Sequence, residues 1–245
     1  MTDAAQIGAQ IGAEIEAVTF DCFGTLIDWE SGILGVLRLL CERYSVKPMP
    51  ADGELLAMYA RLEGRAQDGP YRPYRDILGE VMQEFARELG FQIAAADHSL
   101  LADSIENWPA FGDTAASLRA LKMRYKVGVL SNIDDDLFEG ALPKLGLGSV
   151  GGLDLLVTAQ QVSSYKPAHA HFEEAIRRLG IEKSKLLHIA QSQRHDILPC
   201  NELGIRCVWV DRLRGSGGAS GDFAAKPDYV VPDLATLVRK LGLTG

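Results

Sequence analysis

The sequence lacks a surplus of positive charge and long apolar runs. Its 245 residues include 25 Lys and Arg against 33 Asp and Glu, which gives a formal net charge of −8. Nucleic acids and anionic membranes attract proteins through clustered basic residues, so this composition disfavours both as partners. No apolar run approaches the roughly 20 residues that a transmembrane helix needs. These absences favour a globular protein that acts on a small ligand.

Cysteine patterns that bind metals are also missing. The four cysteines are scattered at Cys22, Cys41, Cys200 and Cys207, without a C-x-x-C pair. A structural zinc site is therefore not predicted, and reduced thiols indicate a cytoplasmic protein. Residues 1–16 are rich in Ala and Gly and lack the basic start and cleavage site of a signal peptide. We expect them to form a flexible tail.

Short apolar runs alternate with amphipathic segments through most of the chain. This alternation predicts an α/β fold with a doubly wound parallel sheet, covered by helices on both faces. The predicted strands are Ala17–Phe20, Val127–Leu130, Leu155–Thr158, Leu186–Ala190, Arg206–Val210 and Tyr229–Val231. The predicted helices between them are Thr114–Arg124, Asp135–Leu145, His169–Leu179 and Asp196–Leu203.

One long segment departs from this alternation. Between Ser31 and Trp108, apolar residues recur at spacings of three and four, and no strand pattern is visible. We therefore predict a helical cap domain, residues 31–108, inserted after the first strand. The core would then comprise residues 17–30 and 109–245, with a flexible loop at the glycine-rich stretch Gly215–Gly221.

Polar side chains follow several of the predicted strands. Each has an ordinary structural explanation when taken alone, as a turn cap, a helix cap or a solvated charge. In a parallel sheet, however, the carboxyl ends of the strands meet at one edge, where ligands bind. Together these residues predict an active site, and they are Asp21, Thr25, Ser131, Asn132, Lys166 and Asp196.

The order of these motifs resembles that of the haloacid dehalogenase superfamily of hydrolases. An Asp after the first strand, Ser-Asn after the second, Lys-Pro before a helix and Asp opening a helix extend through nearly the whole core. The predicted insert lies where that family carries its cap domain. The resemblance implies a Rossmann-like core, a small anionic substrate and Asp21 as nucleophile. The oligomeric state stays open, a homodimer included.

Two positions bear on the reaction. The magnesium phosphatases of the superfamily carry a second acid two residues after the nucleophile, where this chain has Phe23, which cannot donate a proton. Their fourth motif begins with an acid where this chain has Gln191, which leaves fewer carboxylates for magnesium. A halide leaving group needs no acid. The resemblance therefore favours hydrolysis of a small L-2-haloacid to a 2-hydroxy acid through an aspartyl ester, without a metal or other cofactor.

The resemblance also implies residues that contact the substrate. Cys22 and Phe23 offer backbone N–H groups, and Gln191 and Ser192 follow the fourth predicted strand. A cap arginine is expected to contact the substrate carboxylate or the halide. We take Arg65 as the candidate from a group of four cap arginines, which are Arg61, Arg65, Arg72 and Arg75.

Other readings stay open. The chain departs from the dehalogenase branch at Gln191 and Gln193, which replace Ser and Asn, and at Phe172, which replaces a Tyr. A magnesium-dependent phosphatase without the usual acid is one alternative. A catalytically weak member that binds an anion or a partner protein is another, although retention of Lys166 beside a nucleophile argues against it.

Three further patterns receive structural interpretations. The triplet 134–136, all Asp, opens a predicted helix, where acids complement the helix dipole. His169 and His171 are predicted to be surface histidines, since further zinc ligands are missing. The stretch PYRPYRD, residues 70–76, predicts a contact between cap and core or a gate for the substrate.

Overall fold

The computed structural model of the protein describes residues 14–148, 152–212 and 225–243. Its centre is a parallel sheet of six strands in the order β3-β2-β1-β4-β5-β6. The strands are β1 (Ala17–Phe20), β2 (Lys126–Ser131), β3 (Leu155–Thr158), β4 (Leu186–Ala190), β5 (Arg206–Val210) and β6 (Tyr229–Val231). The predicted α/β class and parallel sheet are confirmed.

Both faces of the sheet are covered. Successive side chains of a strand point to opposite faces. Accordingly, Val18 and Phe20 of β1 belong to one buried apolar cluster, and Ala17 belongs to a second cluster. Every residue of β1 and of β4 is buried, as expected for central strands with helices on both sides.

Four helices follow β1 before the chain returns to the sheet. They are α1 (Trp29–Arg43), α2 (Asp52–Ala66), α3 (Tyr74–Glu88) and α4 (Leu100–Ser104). Within this described segment no strand occurs, so the predicted helical insert is confirmed. Its first helix begins two residues before Ser31, because Asp28 caps it by accepting a hydrogen bond from the Ser31 backbone N–H at 3.2 Å.

The remaining helices alternate with the strands of the core. They are α5 (Thr114–Lys122), α6 (Asp135–Ala141), α7 (Ala159–Val162), α8 (Ala170–Leu179), α9 (Leu198–Leu203) and α10 (Leu234–Lys240). The helix predicted to run to Leu145 tightens into a 3₁₀ turn after Ala141, where Pro143 has no N–H to continue the α-helix. No helix among the described residues is long and apolar enough to cross a membrane.

The predicted tail and loop lie mostly outside the described residues, which exclude 1–13 and all of Gly215–Gly221. The end of the predicted tail differs from expectation. Ile15 is buried, and Glu14 pairs with Arg206 of β5 at 2.7 Å. Residues 14–16 are therefore attached to the core.

The cap is held on the core through the first turn of α3. Asp134 of the core is buried, and its two carboxylate oxygens accept hydrogen bonds from the backbone N–H groups of Tyr74 (2.8 Å) and Arg75 (2.9 Å). These N–H groups begin α3 and have no partner within the helix. Tyr165 of the core also donates to the Arg72 carbonyl at 2.8 Å. The stretch PYRPYRD thus lies at a contact between cap and core.

Candidate active site

A buried ammonium group lies between two carboxylates at the carboxyl end of the sheet. Lys166 Nζ donates to Asp21 Oδ1 at 2.9 Å, to Asp196 Oδ1 at 2.6 Å and to the Leu130 carbonyl at 2.8 Å. Lys166 is 1% exposed and Asp196 is fully buried. The structure brings these three predicted residues together in one hydrogen-bonded unit.

The strand register explains why they meet. Phe20 of β1 lies beside Ile189 of β4, so Asp21 directly follows β1 at the level where β4 ends. Asp196 lies in a π-helical turn, Gln193–Ile197, that follows β4. Strand order reverses at β1, and this position in a doubly wound sheet is where ligands bind.

Asn132 holds the loop that carries Lys166. Its Nδ2 donates to the Lys166 carbonyl at 3.0 Å, and its Oδ1 accepts from the Lys166 backbone N–H at 2.7 Å. Both ends of the amide are therefore used within the protein. Asn132 lines the cavity, and these bonds make it a positioning residue for Lys166.

Thr25 orients the nucleophile candidate. Its Oγ1 donates to Asp21 Oδ2 at 2.9 Å and accepts from the Gln191 backbone N–H at 2.9 Å. Gly24 permits the tight turn between Asp21 and Thr25, because its φ of +94° is strained for residues with a side chain. Thr25 is fully buried and is not among the cavity-lining residues, so it acts on Asp21 rather than on a ligand.

Asp196 has a second partner that the sequence reasoning missed. His188 Nε2 lies 3.0 Å from Asp196 Oδ1, and His188 Nδ1 lies 2.9 Å from Thr19 Oγ1. Asp196 Oδ2, in contrast, is buried with no hydrogen-bond partner. A signal was present in the sequence, since His188 is a polar residue inside the otherwise apolar strand LLHIA.

Burial and charge set the protonation of this unit. Burial raises the pKa of Asp21, and the opposing effect of the Lys166 charge does not cancel it. Burial acts on Asp196 in the same direction, but the Lys166 charge and the His188 hydrogen bond outweigh it, so the pKa of Asp196 is lowered. The pKa of Lys166 is raised by the two carboxylates despite its burial. Asp196 and Lys166 therefore stay charged, and Asp21 is the more basic carboxylate.

A cavity of about 510 Å³ opens over this unit, between the core and the cap. Phe23, Trp29 and Trp108 form an aromatic part of its wall, and the rings of Phe23 and Trp108 pack edge to face at 5.5 Å. Ser131 also lines the cavity, and its Oγ is buried without a hydrogen-bond partner. The cavity thus presents an apolar wall beside a few polar groups, as small-molecule sites commonly do.

The predicted substrate-contacting residues divide into two groups. Phe23, Gln191 and Ser192 line the cavity, and Ser192 Oγ also accepts from the His195 backbone N–H at 3.1 Å. Cys22 is fully buried in the apolar core and does not line the cavity. Burial raises the pKa of its thiol well above the usual range, so Cys22 is a small apolar side chain here.

The cap arginines do not reach the cavity. Arg65 lies on the exposed side of α2 and is absent from the cavity wall. The other three form ion pairs elsewhere, with partners Glu88 for Arg61, Glu80 for Arg72, and Asp103 and Asp136 for Arg75. Among the described lining residues, the guanidinium comes instead from Arg194, in the π-helical turn of the core.

One of the two histidines predicted at the surface is buried. His169 is partly exposed and lies 2.7 Å from Glu202, whereas His171 is fully buried, with Nε2 3.2 Å from the Ser131 carbonyl. The prediction was wrong for His171 because α8 packs that side of the helix against the sheet. Burial lowers its pKa to about 3, so it stays neutral.

The residues around Asp21 fit a magnesium ion poorly. Magnesium prefers near-octahedral coordination by oxygen atoms, with carboxylates prominent. Here the Lys166 ammonium occupies the space between the two carboxylates, and Gln191 provides an amide in place of a further acid. In the parts of the chain that the structure describes, no three His, Cys, Asp or Glu side chains are grouped to hold a metal.

Comparison with known proteins agrees with the geometry. Residues 15–204 match the family described as haloacid dehalogenase-like hydrolase. The (S)-2-haloacid dehalogenase of Pseudomonas sp. (strain YL) is 26% identical over 232 residues, which cover 92% of this chain and 94% of that protein. A crystal structure of an L-2-haloacid dehalogenase superposes with a TM-score of 0.77 at 26% identity, covering 93% of this chain and 99% of the other.

A phosphatase is similar as well. The phosphoglycolate phosphatase of Neisseria meningitidis serogroup A is 24% identical over 233 residues, covering 93% of this chain and 94% of that protein. Similarity at this level extends across different reactions, whereas the family match covers most of the chain. The protein belongs to the haloacid dehalogenase-like hydrolase family.

Proposed function

We propose that the protein hydrolyses the carbon–halogen bond of a small L-2-haloacid, which yields a 2-hydroxy acid and a halide ion. The observation that carries this proposal is the position of Phe23. It lies two residues after Asp21 and lines the cavity, where its ring packs against Trp108. An alkoxide leaving group needs a proton, and losing a positioned acid typically costs about 10²–10⁴-fold in rate. A halide leaves without one.

In the first step, a carboxylate oxygen of Asp21 attacks C2 of the substrate from the side opposite the halogen. The oxygen–carbon bond forms as the halide leaves with its bonding electron pair, and the configuration at C2 inverts. Lys166 and Thr25, each 2.9 Å from an Asp21 oxygen, hold the carboxylate in place. The product of this step is an ester between Asp21 and the acid.

In the second step, water attacks the carboxyl carbon of that ester. Asp196 accepts the proton of the water through Oδ2, the oxygen that has no partner within the protein. The bond between this carbon and the ester oxygen then breaks, and the proton held by Asp196 passes to the departing oxygen, which leaves as the hydroxyl of the 2-hydroxy acid. The second proton of the water goes to solvent, which restores the Asp21 carboxylate. Backbone N–H groups near Cys22 and Phe23 are the candidate donors to the tetrahedral oxyanion.

Two groups of the cavity wall suit the substrate carboxylate. Ser131 Oγ is buried with no partner, so a bound carboxylate oxygen would satisfy it. Arg194 brings a guanidinium to the same cavity from the core, in place of a cap arginine. Neither Thr25 nor Asn132 has this role in the proposal, because their polar groups already bond Asp21, Lys166 and Gln191.

A magnesium-dependent phosphatase is the second candidate, because an aspartate nucleophile serves either reaction and a phosphatase is among the similar proteins. Halide release from L- and D-2-chloropropionate, measured beside phosphate release from an aryl phosphate, distinguishes the two. Each assay is run with a chelator and with added magnesium. We expect halide release from the L-isomer under both conditions. Magnesium-dependent phosphate release without halide release would replace our proposal by the phosphatase, and activity on neither would favour an anion-binding protein.

A further inference from the structure

The cap wall of the cavity carries a fixed carboxyl group. Glu63 of α2 is half-buried and lines the cavity. Its Oε1 accepts hydrogen bonds from Tyr74 Oη at 2.7 Å and from Gln67 Nε2 at 2.9 Å. Tyr59 Oη lies 3.1 Å from Tyr74 Oη and orders that hydroxyl in turn. The carboxyl is thus held by a small network rather than left free to turn toward solvent.

This carboxyl makes the cap side of the cavity acidic. Asp68 is the other acidic side chain that the cap brings to the wall, and the four cap arginines point elsewhere. Arg194 of the core lines the same cavity and lowers the pKa of Glu63, but burial is the larger effect and the net shift is upward. A partly buried carboxylate whose pKa is raised gains stability in its charged form from a cation or a hydrogen-bond donor placed beside it.

The cavity has room for such a group. Its volume of about 510 Å³ lies within the range, roughly 300–1,000 Å³, of sites that hold drug-sized ligands. A three-carbon haloacid bound at Asp21 would leave most of this space to water. The part of the cavity next to Glu63 is therefore suited to a longer substrate.

We propose that Glu63, held in place by Tyr74 and through it by Tyr59, forms a subsite for the far end of the substrate, and that this end carries an ammonium or another hydrogen-bond donor. The substrate would then be a 2-halo acid with its carboxylate near Ser131 and Arg194 and its donor group at the cap. The halogen-bearing end of this substrate rests on the proposed function. The subsite at Glu63 can be tested by ligand binding alone.

Binding of the corresponding products tests the subsite without any chemical step. The ligands are ω-amino-2-hydroxy acids of three, four and five carbons, each titrated calorimetrically beside the 2-hydroxy acid of equal length without the amine. We expect one length to bind at least tenfold tighter than its unsubstituted match. In Glu63→Gln, which keeps the Oε1 acceptor but removes the charge, this preference should fall to about twofold or less.

The matched control is Glu84→Gln. Glu84 is a cap carboxyl on α3 that pairs with Arg87 and does not line the cavity, so the preference should persist. Equal binding of amino and unsubstituted acids by the wild type overturns the proposal. So does a Glu63→Gln variant with a lowered Tm and an unchanged preference, since Glu63 would then serve only to hold the cap helices α2 and α3 together.

Failure of the proposed function has a different signature. One outcome is that the wild type binds the ω-amino-2-hydroxy acids more tightly than the unsubstituted 2-hydroxy acids and yet releases halide from none of the corresponding 2-chloro acids. In that case the subsite stands and the dehalogenase reaction falls. If it releases halide from 2-chloropropionate and shows no preference for the amine, the reaction stands and the subsite falls. If an ω-carboxylate ligand such as malate bound more tightly than the ω-amino-2-hydroxy acid of equal length, this would also contradict an acidic subsite.

Discussion

His188 Nε2 and Asp196 Oδ1 lie 3.0 Å apart in a part of the core that solvent does not reach. Lys166 donates to the same oxygen, so Oδ1 has two donors while Oδ2 has none. In the neutral imidazole, a donating Nε2 leaves Nδ1 as the acceptor, and the Thr19 hydroxyl at 2.9 Å is placed to donate to it. His188 thereby fixes which oxygen of Asp196 is left for water.

Replacing His188 should separate the two chemical steps. In His188→Leu, Asp196 loses the partner that orients it, and hydrolysis of the ester should slow by about 10²-fold, the order expected for a misplaced catalytic group. Attack by Asp21 does not use Asp196, so a burst of about one halide per enzyme should remain. Intact-protein mass spectrometry should then show the accumulated ester.

The isosteric Thr19→Val is the matched partner variant. It removes only the Nδ1 contact of His188, so a smaller slowing of the same step is expected. Equal losses of the halide burst and of turnover in His188→Leu would show that the histidine supports the fold rather than ester hydrolysis.

The identity of the nucleophile can be read from an isotope. In a single turnover in heavy-oxygen water, the label should enter the Asp21 carboxylate, because water attacks the ester at that carbon. Peptide mass spectrometry locates the label, and Asp21→Asn provides the unlabelled, inactive control. Label found only in the 2-hydroxy acid would instead indicate direct attack of water on the substrate.

The pH dependence of halide release should reflect the raised pKa of Asp21. A protonated carboxyl cannot attack, so the rate falls as the pH falls through this pKa. Because burial raises it, the acidic limb should lie above the ordinary aspartate range. Thr25→Val removes a donor that stabilises the charged form and should move the limb further upward. A limb that moves downward in this variant would contradict the assignment.

His171 should make the fold sensitive to acid. Its pKa is about 3 in the folded protein against 6.5 for an ordinary histidine. As the pH falls below the latter value, the unfolded chain takes up a proton that the folded chain does not, so stability is lost. The free energy of unfolding should drop by about 2 kcal/mol between about pH 7 and pH 5 from this group.

Urea unfolding at several pH values measures that drop, and His171→Gln should remove it. Because His169 is accessible to solvent, His169→Gln is the matched control. A slope that falls equally in both variants would rule out burial as its cause.

Asp134 should control how firmly the cap sits on the core. Asp134→Ala leaves two N–H groups of α3 without an acceptor, at a cost of roughly 0.5–2 kcal/mol for a lost cap. We expect faster amide exchange in the first turn of α3 and a higher KM. Asp136→Ala, which breaks an exposed pair with Arg75, should change stability by at most about 1 kcal/mol. Similar effects of the two variants would argue against a helix-capping role of Asp134 at the start of α3.

The core of the fold was accessible from the sequence for a physical reason. A central parallel strand is buried on both faces and therefore appears as a short apolar run, and Leu186–Ala190 was predicted with the bounds observed. The common edge of such strands then brings Asp21 and Asp196 together. Helix ends were less accurate, as at Asp196, which opens no α-helix but lies within a π-helical turn stabilised by Ser192.

The cap side of the cavity was not accessible in the same way. Periodicity places Tyr59 and Glu63 on one side of a helix, but nothing local says that this side covers the cavity. Arg65 was predicted to contact the substrate, but its side chain is not part of the cavity wall. The orientation of that side chain depends on how α2 packs on its neighbours, which the local sequence does not reveal. Arg194 lies between Gln191 and Asp196, which both belong to the fourth motif. Only the geometry of the π-helical turn shows that Arg194 lines the cavity.

The contact between Asp134 and the first turn of α3 links the core to a cap helix about 60 residues away in the sequence. Asp134 does not line the cavity, yet the helix it holds carries Tyr74, which does. A substitution at this core position can therefore alter ligand selectivity while every lining residue is unchanged. If a cap domain from another protein were placed on this core, one of its helices would have to begin at the same position. Its first free N–H groups could then donate to Asp134, and a cap domain without such a helix start would not be held.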